Sequence, residues 1–481
     1  MSVPVATHRV LPTLNEDGSR RWIRPKPSHG AFWSRRRALA YPLMIVFFAI
    51  PYIRVGGKPF VLLDLPRREF TFAGVTFLPT DTLLLMLLMA SILIGIFLLT
   101  ALFGRVWCGW ACPQTVYMEF LFRPIERLFE GGRSGSLELD RQKRRGQLRV
   151  RRLAKYAVYG VLSLFLAHTF LAYFVGVDQL AVWVRRSPVE HPTSFAIMAL
   201  TTTAIMLDFT WFREQTCIVA CPYGRFQSVL LDRQSLIVAY DVNRGEPRAK
   251  GRARTPGTGD CIDCGACVLT CPTGIDIRDG LQMECIHCTQ CADACDDIMR
   301  KVDRPTGLIR YTSRAAIETG GAGAPTKKLR PRTVLYPAAF AVTFGGFLFT
   351  LATRAPADVT VLRGLGAPYV VEADGRVANQ LRVKVTNRTA FAQRYAISID
   401  DIEPGAMIAP RNPLPVAAGQ TEVADLFVLL PASAFDDGER TIVVRIADGA
   451  SFHQQVPYRL VGPEHHDART DRDEPPKEHE P

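Results

Sequence analysis

The chain contains twelve cysteines, and their spacing constrains its fold more than any other feature. Eight of them form two tandem runs with the spacing C-x2-C-x2-C-x3-C: Cys261, Cys264, Cys267 and Cys271, then Cys285, Cys288, Cys291 and Cys295. This spacing is typical of bacterial ferredoxins, in which three close thiolates hold one iron–sulfur cluster and the fourth cysteine completes the other cluster.

The two runs therefore predict two 4Fe–4S clusters with crossed ligands. We expect one cluster on Cys261, Cys264, Cys267 and Cys295, and the second on Cys285, Cys288, Cys291 and Cys271. Zinc sites and disulfides are the alternatives, but zinc-binding pairs are usually separated by longer spacers. The pattern favours a protein that moves electrons.

Five apolar stretches are candidates for membrane spans: Leu39–Ile53, Leu83–Phe103, Tyr156–Val177, Ser194–Phe212 and Val334–Ala352. A spanning helix needs about 20 apolar residues, so the first stretch is the shortest candidate. The formal net charge of +12 is concentrated between these stretches, which favours a lipid bilayer over nucleic acid as the partner.

The distribution of lysine and arginine predicts the orientation. Residues 1–37 hold eight and residues 113–155 hold eleven, whereas residues 55–82 hold three and residues 177–192 hold two. Basic segments remain in the cytoplasm. We therefore expect the N-terminus and the ferredoxin module in the cytoplasm and the C-terminal region outside, which places every cysteine on the reducing side.

The other four cysteines form two C-x3-C-P pairs, each near the inner end of a predicted hairpin: Cys108 and Cys112, and Cys217 and Cys221. Residues four apart share a helix face, although the following proline makes a helix end equally plausible. Soft thiolates select Cu(I), zinc or iron–sulfur. We predict a metal or redox site here and leave open whether the pairs form one site or two.

Residues after the last span alternate apolar and polar side chains in short runs separated by turn formers, which predicts a β-sandwich. The predicted parts are a cytoplasmic basic tail (1–37), a four-span membrane domain (38–232), a cytoplasmic 2×4Fe–4S ferredoxin module (233–330), a fifth transmembrane helix (331–353), a periplasmic sandwich (357–463) and a disordered tail (464–481).

Two ionisable residues lie inside the predicted spans away from their ends, His168 and Asp208. Such residues are costly in lipid and are functional candidates. No second histidine within a span accompanies His168, so we favour hydrogen bonding within the bundle over haem ligation. Asp208 is close enough to the inner interface to reach it or to pair with Arg213.

The order of these parts resembles the FixG/RdxA/CcoG family of cytochrome c oxidase accessory proteins, from about Trp22 to Pro463. The resemblance implies a bacterial inner-membrane protein with an immunoglobulin-like periplasmic domain. It also implies iron ligation by the eight ferredoxin cysteines, and copper handling or electron transfer by Cys108, Cys112, Cys217 and Cys221. One departure is Asp296, which follows Cys295 where the first run has Pro272.

The resemblance further implies a cupric reductase that supplies Cu(I) to cbb3-type oxidase subunits or copper-delivery proteins and takes electrons from a cytoplasmic donor. Two other functions remain open. One is a quinol-linked ferredoxin subunit of a respiratory chain, and the other is a non-enzymatic assembly scaffold.

Overall fold

The computed structural model describes residues 12–15, 17, 19–78, 81–144, 150–251, 256–320, 330–389, 391–450 and 452–463. The chain divides into two compact units, Met1–Phe349 and Thr350–Pro481. The tail 464–481, predicted to be disordered, lies outside the described residues.

The helices before the C-terminal unit are, in chain order, α1 (Ala31–Ala49), α2 (Thr82–Phe103), α3 (Val106–Trp110), α4 (Pro113–Tyr117), α5 (Arg123–Glu130), α6 (Gly132–Arg144), α7 (Val150–Val175), α8 (Val177–Val184), α9 (Pro192–Leu207), α10 (Pro222–Leu230), α11 (Val242–Gly245), α12 (Ala266–Thr270), α13 (Gln290–Lys301), α14 (Arg314–Glu318) and α15 (Pro331–Ala352). Wider π-helical turns continue α4 over Met118–Phe122 and α9 over Asp208–Phe212, and another covers Thr216–Ala220.

Within the described residues, four helices are long and apolar enough to cross a membrane: Thr82–Phe103, Val150–Val175, Pro192–Phe212 and Pro331–Ala352. They coincide with the last four predicted spans, and most of their side chains are not buried within the protein. Lipid contact explains this exposure, because apolar helices in a bilayer need no protein cover.

The first predicted span differs from the helix that forms there. Helix α1 begins at Ala31 and therefore includes Arg35, Arg36 and Arg37 in its N-terminal half. Charged side chains are expensive in hydrocarbon, and the apolar remainder of this helix is too short to meet the criterion that the other four satisfy. Four of the five predicted spans are thus supported, and the first one, Leu39–Ile53, remains a prediction.

A small antiparallel pair joins the two ends of the ferredoxin-type segment. Strands β6 (Ile237–Tyr240) and β7 (Ile309–Thr312) lie on either side of the eight cysteines in the sequence and pair from Ile237 with Thr312 to Tyr240 with Ile309. Short strands β1 to β5 connect α1 with α2: Arg54–Val55, Lys58–Pro59, Val61–Asp64, Glu69–Phe72 and Val75–Phe77. The β6–β7 pair closes the module around a core that includes Val238, Met299 and Leu308.

The C-terminal unit consists of two antiparallel sheets, as the alternating pattern predicts. One sheet has the order β12-β14-β10-β8, with β9 also paired to β10, and the other has the order β13-β11-β15-β16. The strands are β8 (Ala357–Arg363), β9 (Val370–Val371), β10 (Arg376–Asn387), β11 (Gln393–Ile399), β12 (Met407–Ile408), β13 (Leu414–Val416), β14 (Thr421–Pro431), β15 (Glu439–Ala447) and β16 (His453–Val461). Alternate residues of β10, such as Leu381, Val383 and Val385, are fully buried between the sheets.

Candidate iron–sulfur and thiol centres

Four of the ferredoxin-type cysteines line one cavity, which we call the first cavity. Cys261, Cys264 and Cys267 come from the loop and first turn of α12, and Cys295 comes from the middle of α13. The cavity has an empty volume of about 350 Å³. Two segments 28 residues apart in the sequence therefore contribute sulfur to the same space.

The other four line a second cavity of about 340 Å³: Cys271, Cys285, Cys288 and Cys291. Cys271 follows α12 in an extended conformation, which directs it away from the rest of its own run. Cys267 also borders this space, so the two cavities are adjacent. The sulfur atoms are grouped as the crossed pattern requires.

The backbone of each run has the same unusual conformation. Asp263 and Gly265 in the first run, and His287 and Thr289 in the second, have φ between 50° and 65°. Three of these residues are not glycine, so the conformation is one that side chains rarely adopt. Alternating right- and left-handed residues turn successive N–H groups into a concavity that binds anionic groups, including iron–sulfur clusters.

The cysteines of each cavity are spread around an open volume and do not converge on the position of a single ion. Among the described residues, no three His, Cys, Asp or Glu side chains are arranged to hold a single metal ion. Four cysteines around one shared space suit a multi-atom cluster with one thiolate on each iron. The residues present thus fit 4Fe–4S clusters better than zinc.

The departure at Asp296 has a structural reason. Cys295 lies inside α13, which continues to Lys301, whereas Cys271 lies just after the end of α12. Proline at position 296 would remove a hydrogen bond within the helix, but Pro272 follows a helix that has already ended. Asp296 also accepts a hydrogen bond from the Gly307 backbone N–H at 2.8 Å.

Two buried arginines lie beside the second cavity. Arg36 from α1 has no exposed surface, and its Nε donates to the Gly109 carbonyl at 2.8 Å. Its two terminal nitrogens have no hydrogen-bond partner among the described residues, and Cys288 is the group that most favours its charge. Burial raises the pKa of the Cys288 thiol, and the positive charge of Arg36 opposes that rise.

Arg105 binds the loop of the second run to the membrane-edge helices. Its guanidinium donates to the carbonyls of Met283 and Cys285, the latter at 3.1 Å, and to the carbonyl of Gly224 in α10. Burial raises the pKa of Cys285 to about 12, and Arg105 is among the groups that oppose the rise.

The first cavity has acidic surroundings instead. Arg278 is paired with Asp276 and Asp263, each at 2.6 Å, so two negative charges face its one positive charge. Burial, with smaller contributions from Cys267 and Asp296, raises the pKa of Cys295 to about 12. Cys264 is exposed, so this cavity reaches the surface of the described protein.

The two C-x3-C-P pairs adopt the same local structure. Cys108 and Cys217 each lie in a short helical turn, and Cys112 and Cys221 are the extended residues that precede α4 and α10. The prolines occupy the first turn of the next helix, where no amide hydrogen is required. Of the two conformations expected from the sequence, the helix end is the one that forms.

The two pairs lie in the same half-buried region, which we call the thiol site. Burial and the neighbouring Cys112 and Cys221 raise the pKa of Cys108 to about 12, although Arg105 opposes the rise. The pKa of Cys217 is raised by burial and by Cys112, Cys108 and Cys221. Each thiol is thus within electrostatic range of the other three. That the four thiols form one site rather than two is a hypothesis.

A buried glutamine completes the thiol site. Gln227 from α10 has no exposed surface, and its Oε1 accepts a hydrogen bond from the Cys108 thiol at 3.1 Å. The sequence gives little indication of this contact, because 119 residues separate the two partners.

The thiol site touches the second cavity through backbone. A Cβ atom added to Gly109 would lie 2.6 Å from the Ile286 carbonyl oxygen and 2.8 Å from the Cα of Cys288. Only glycine allows this approach of the turn at Cys108 to the second run. Next to it, Trp110 donates to the Tyr311 hydroxyl at 2.9 Å, and that hydroxyl donates to the His287 carbonyl at 3.0 Å.

A network of buried ion pairs holds the same region together. Arg213 donates to both oxygens of Glu126, at 3.1 and 2.9 Å, and Arg24 also binds this carboxylate. Burial favours the neutral acid, but Arg213 and Arg24 outweigh it and lower the pKa of Glu126 to about 2. The segment before α1 also contacts the cluster module, since the Lys26 N–H donates to the Leu269 carbonyl at 2.9 Å.

The two ionisable residues in the spans have different partners. His168 Nδ1 lies 2.8 Å from the Leu164 carbonyl, so it is hydrogen-bonded within its own helix. Asp208 accepts a hydrogen bond from Thr216, beside Cys217. Of the two possibilities for Asp208, reaching the inner interface or pairing with Arg213, the pairing does not form, because the Arg213 side chain binds Glu126 instead.

Family models match three parts of the chain. A 4Fe–4S dicluster domain matches residues 212–314, a 4Fe–4S binding domain matches residues 85–131, and an Ig-like fold found at the C-terminus of FixG matches residues 347–463. The first two matches show iron–sulfur chemistry, and the third shows that the sandwich is immunoglobulin-like.

Curated relatives match most of the chain. It is 35% identical to Protein RdxA of Cereibacter sphaeroides over 85% of this chain and 89% of that protein. It is 32% identical to the nitrogen fixation protein FixG of Rhizobium meliloti over 92% of each. A more distant relative is a protein of Escherichia coli named for electron transport, YccM, with 24% identity over 42% of this chain and 52% of that protein.

Proposed function

The chain belongs to the FixG and RdxA family of iron–sulfur electron-transfer proteins, and we propose that it reduces Cu(II) to Cu(I) for assembly of a cbb3-type cytochrome c oxidase. The observation that carries this proposal is the backbone contact of Gly109 with Ile286 and Cys288. It joins the second cavity to the four half-buried thiols of the thiol site.

We assign one 4Fe–4S cluster to Cys261, Cys264, Cys267 and Cys295, and the other to Cys271, Cys285, Cys288 and Cys291. When bound, such clusters accept and donate one electron at a time. The exposed Cys264 makes the first cavity the entry for electrons from a cytoplasmic donor. The buried second cavity then provides the exit towards the thiol site.

The thiol site suits the product of the proposed reaction. Thiolates bind Cu(I) in preference to harder ions, so Cys108, Cys112, Cys217 and Cys221 favour reduction of a bound Cu(II). Each Cu(II) takes up one electron, and no bond of the protein is made or broken. With one electron stored at each of the two groups of ferredoxin-type cysteines, the chain would reduce two Cu(II) ions.

The proposal includes a cellular location and a membrane orientation for the protein. The four apolar helices and the basic segments between them suit the bacterial inner membrane, with the thiol site and the clusters facing the cytoplasm. The immunoglobulin-like domain would then face the periplasm, where oxidase subunits or copper-delivery proteins are its partners. No nucleic acid is involved.

The test uses full-length protein purified without oxygen, reduced with dithionite and freed of excess reductant. Adding Cu(II) should bleach the reduced-cluster EPR signals and produce two Cu(I) per chain, measured with a Cu(I)-specific chelator. A variant with Cys217→Ser and Cys221→Ser should keep its iron but react at least about tenfold more slowly, because its copper site has lost half of its thiolates.

Three results would overturn the proposal. Clusters that do not respond to Cu(II) would show that copper is not the acceptor, and rapid reduction by a quinol analogue would then favour the respiratory subunit. Equal rates in the wild type and the cysteine variant would show that copper reacts with the clusters directly. Normal oxidase assembly with redox-inert clusters would favour the scaffold.

One observation favours a second role for the thiol site. The 4Fe–4S match over residues 85–131 includes Cys108 and Cys112 but none of the eight ferredoxin-type cysteines. The four thiols would then hold a third cluster. Iron analysis separates the two roles, because two clusters give eight iron atoms per chain and a third gives more.

A further inference from the structure

A cavity of about 580 Å³ lies at the end of α7 and α9 that is farthest from the thiol site. His168 from α7, His191 and Met198 line it, together with Trp183 from α8. His191 precedes α9, whereas the thiol site follows the opposite end of that helix. This cavity is therefore separate from every centre described above.

The ring of His168 has one nitrogen engaged in a hydrogen bond and one without a bound proton. Its Nδ1 lies 2.8 Å from the Leu164 carbonyl, which can only accept a hydrogen bond, so Nδ1 carries the proton. The other ring nitrogen, Nε2, keeps its lone pair. A hydrogen bond from one nitrogen to a carbonyl is the usual support for a histidine that binds a metal through the other.

The other two donors approach the cavity from α9 and the residue before it. The His191 ring stacks on the Trp183 indole, with 4.8 Å between centroids and 28° between planes, which restrains the imidazole. Met198 follows within two helical turns, and the Thr202 hydroxyl lies 3.6 Å from its sulfur. The Arg186 side chain also borders the cavity, but it lies 3.4 Å from Glu190, so its charge is paired.

We propose that His168, His191 and Met198 form a second soft-metal site, which binds Cu(I). Two imidazoles and one thioether are suitable ligands for copper, and the thioether selects Cu(I). The site rests on the proposed function for the source of its metal, since it would receive the Cu(I) produced at the thiol site.

Sulfur and hydroxyl groups connect the two sites along the contact between α7 and α9. Met206 follows Met198 by eight residues, so it lies about 12 Å further along the axis of α9 and about 80° around it. The Ser163 hydroxyl of α7 lies 4.0 Å from the Met206 sulfur. Beyond Met206, Asp208 is hydrogen-bonded to Thr216, next to Cys217.

The experiment is an anaerobic Cu(I) titration of the full-length protein against a competing chelator. The double variant His168→Leu with Met198→Leu should bind one fewer Cu(I) per chain at high affinity. X-ray absorption should show fewer nitrogen neighbours around the copper that remains. Met86→Leu with Met89→Leu is the matched control, because these methionines are 58% and 56% exposed on α2 and line no part of the cavity.

The outcomes separate this proposal from the preceding one. Cluster oxidation by Cu(II) should be unchanged in the His168 and Met198 variant, because the reduction occurs at the other end of the helices. An unchanged number and affinity of Cu(I) ions in this variant would overturn the site. If the double variant loses its iron, His168→Gln tests the same ligand with less change in volume.

Discussion

The first and second cavities have the same cysteine spacing but different surroundings. The first includes an exposed cysteine, and the one arginine among the described residues that line it, Arg278, is paired with two carboxylates, Asp263 and Asp276. A third carboxylate, Asp296, acts on Cys295. In the second, Cys285 and Cys288 are buried, and two buried arginines, Arg36 and Arg105, act on its cysteines. Equal spacing therefore does not make the two cavities equivalent.

This difference gives the proposed electron route a direction. A reduced cluster carries more negative charge, so nearby cations raise its reduction potential and nearby carboxylates lower it. The surroundings thus favour an electron on the cluster of the second cavity. That cavity is also the one in contact with the turn at Cys108.

The largest predicted effect comes from Gly109→Ala. Its Cβ would overlap the backbone of Ile286 and Cys288, so the turn at Cys108 must move away from the second cavity. We expect the rate of cluster oxidation by Cu(II) to fall severalfold, because electron transfer slows as donor and acceptor move apart. Stopped-flow absorbance under anaerobic conditions measures it.

Gly160→Ala is the matched control for this prediction, because a Cβ on that glycine meets no atom within 4 Å. It should react at the wild-type rate. A Gly109→Ala protein with the wild-type rate would show that the contact does not carry electrons.

Arg105→Met should have the next largest effect. It removes the donor from three carbonyl groups, of Met283, Cys285 and Gly224. A buried carbonyl left without a donor costs about 1–3 kcal/mol. Thermal unfolding should therefore begin at a lower temperature than in the wild type, whereas Arg35→Met, at an exposed position of α1, should unfold like the wild type.

Arg36→Gln should lower the reduction potential of one cluster only. It removes a buried positive charge whose strongest favourable interaction is with Cys288. One unit charge at an effective dielectric constant near 20 shifts the potential by on the order of 50 mV. An EPR redox titration that finds both clusters shifted equally, or neither, would contradict the assignment of Arg36 to the second cavity.

Asp296→Asn should have the smallest effect. It should raise a reduction potential, whereas Arg36→Gln lowers one. Asparagine can still accept the hydrogen bond from Gly307, so the change removes charge and little else. The potential of the first cluster should rise by on the order of 20 mV, since Asp296 is partly exposed and solvent screens it. The same titration detects the shift and should leave the second cluster unchanged.

The sequence predicted those features that depend on local pattern. Spacing alone groups Cys295 with the first run and Cys271 with the second, as in the two cavities. Apolar length identifies four of the helices, and period-two alternation identifies the sandwich. Each of these signals lies within a short segment.

Features that depend on distant contacts were missed. Arg36 looks like one of three basic residues at a membrane boundary, yet it is buried against Gly109. The predicted span Leu39–Ile53 did not anticipate that α1 begins at Ala31; of its three arginines only Arg36 is buried, and Arg35 and Arg37 are exposed. His168 was left without a second histidine because His191 lies outside the predicted span and approaches it only in the fold.

The most direct test of the electron route adds one electron per chain without oxygen and locates it by EPR. The account predicts that the electron resides on the cluster of the second cavity. Arg36→Gln should therefore change the one-electron signal, while Asp296→Asn leaves it unchanged. A signal that responds to Asp296→Asn and not to Arg36→Gln would place the electron on the first cluster and contradict the account.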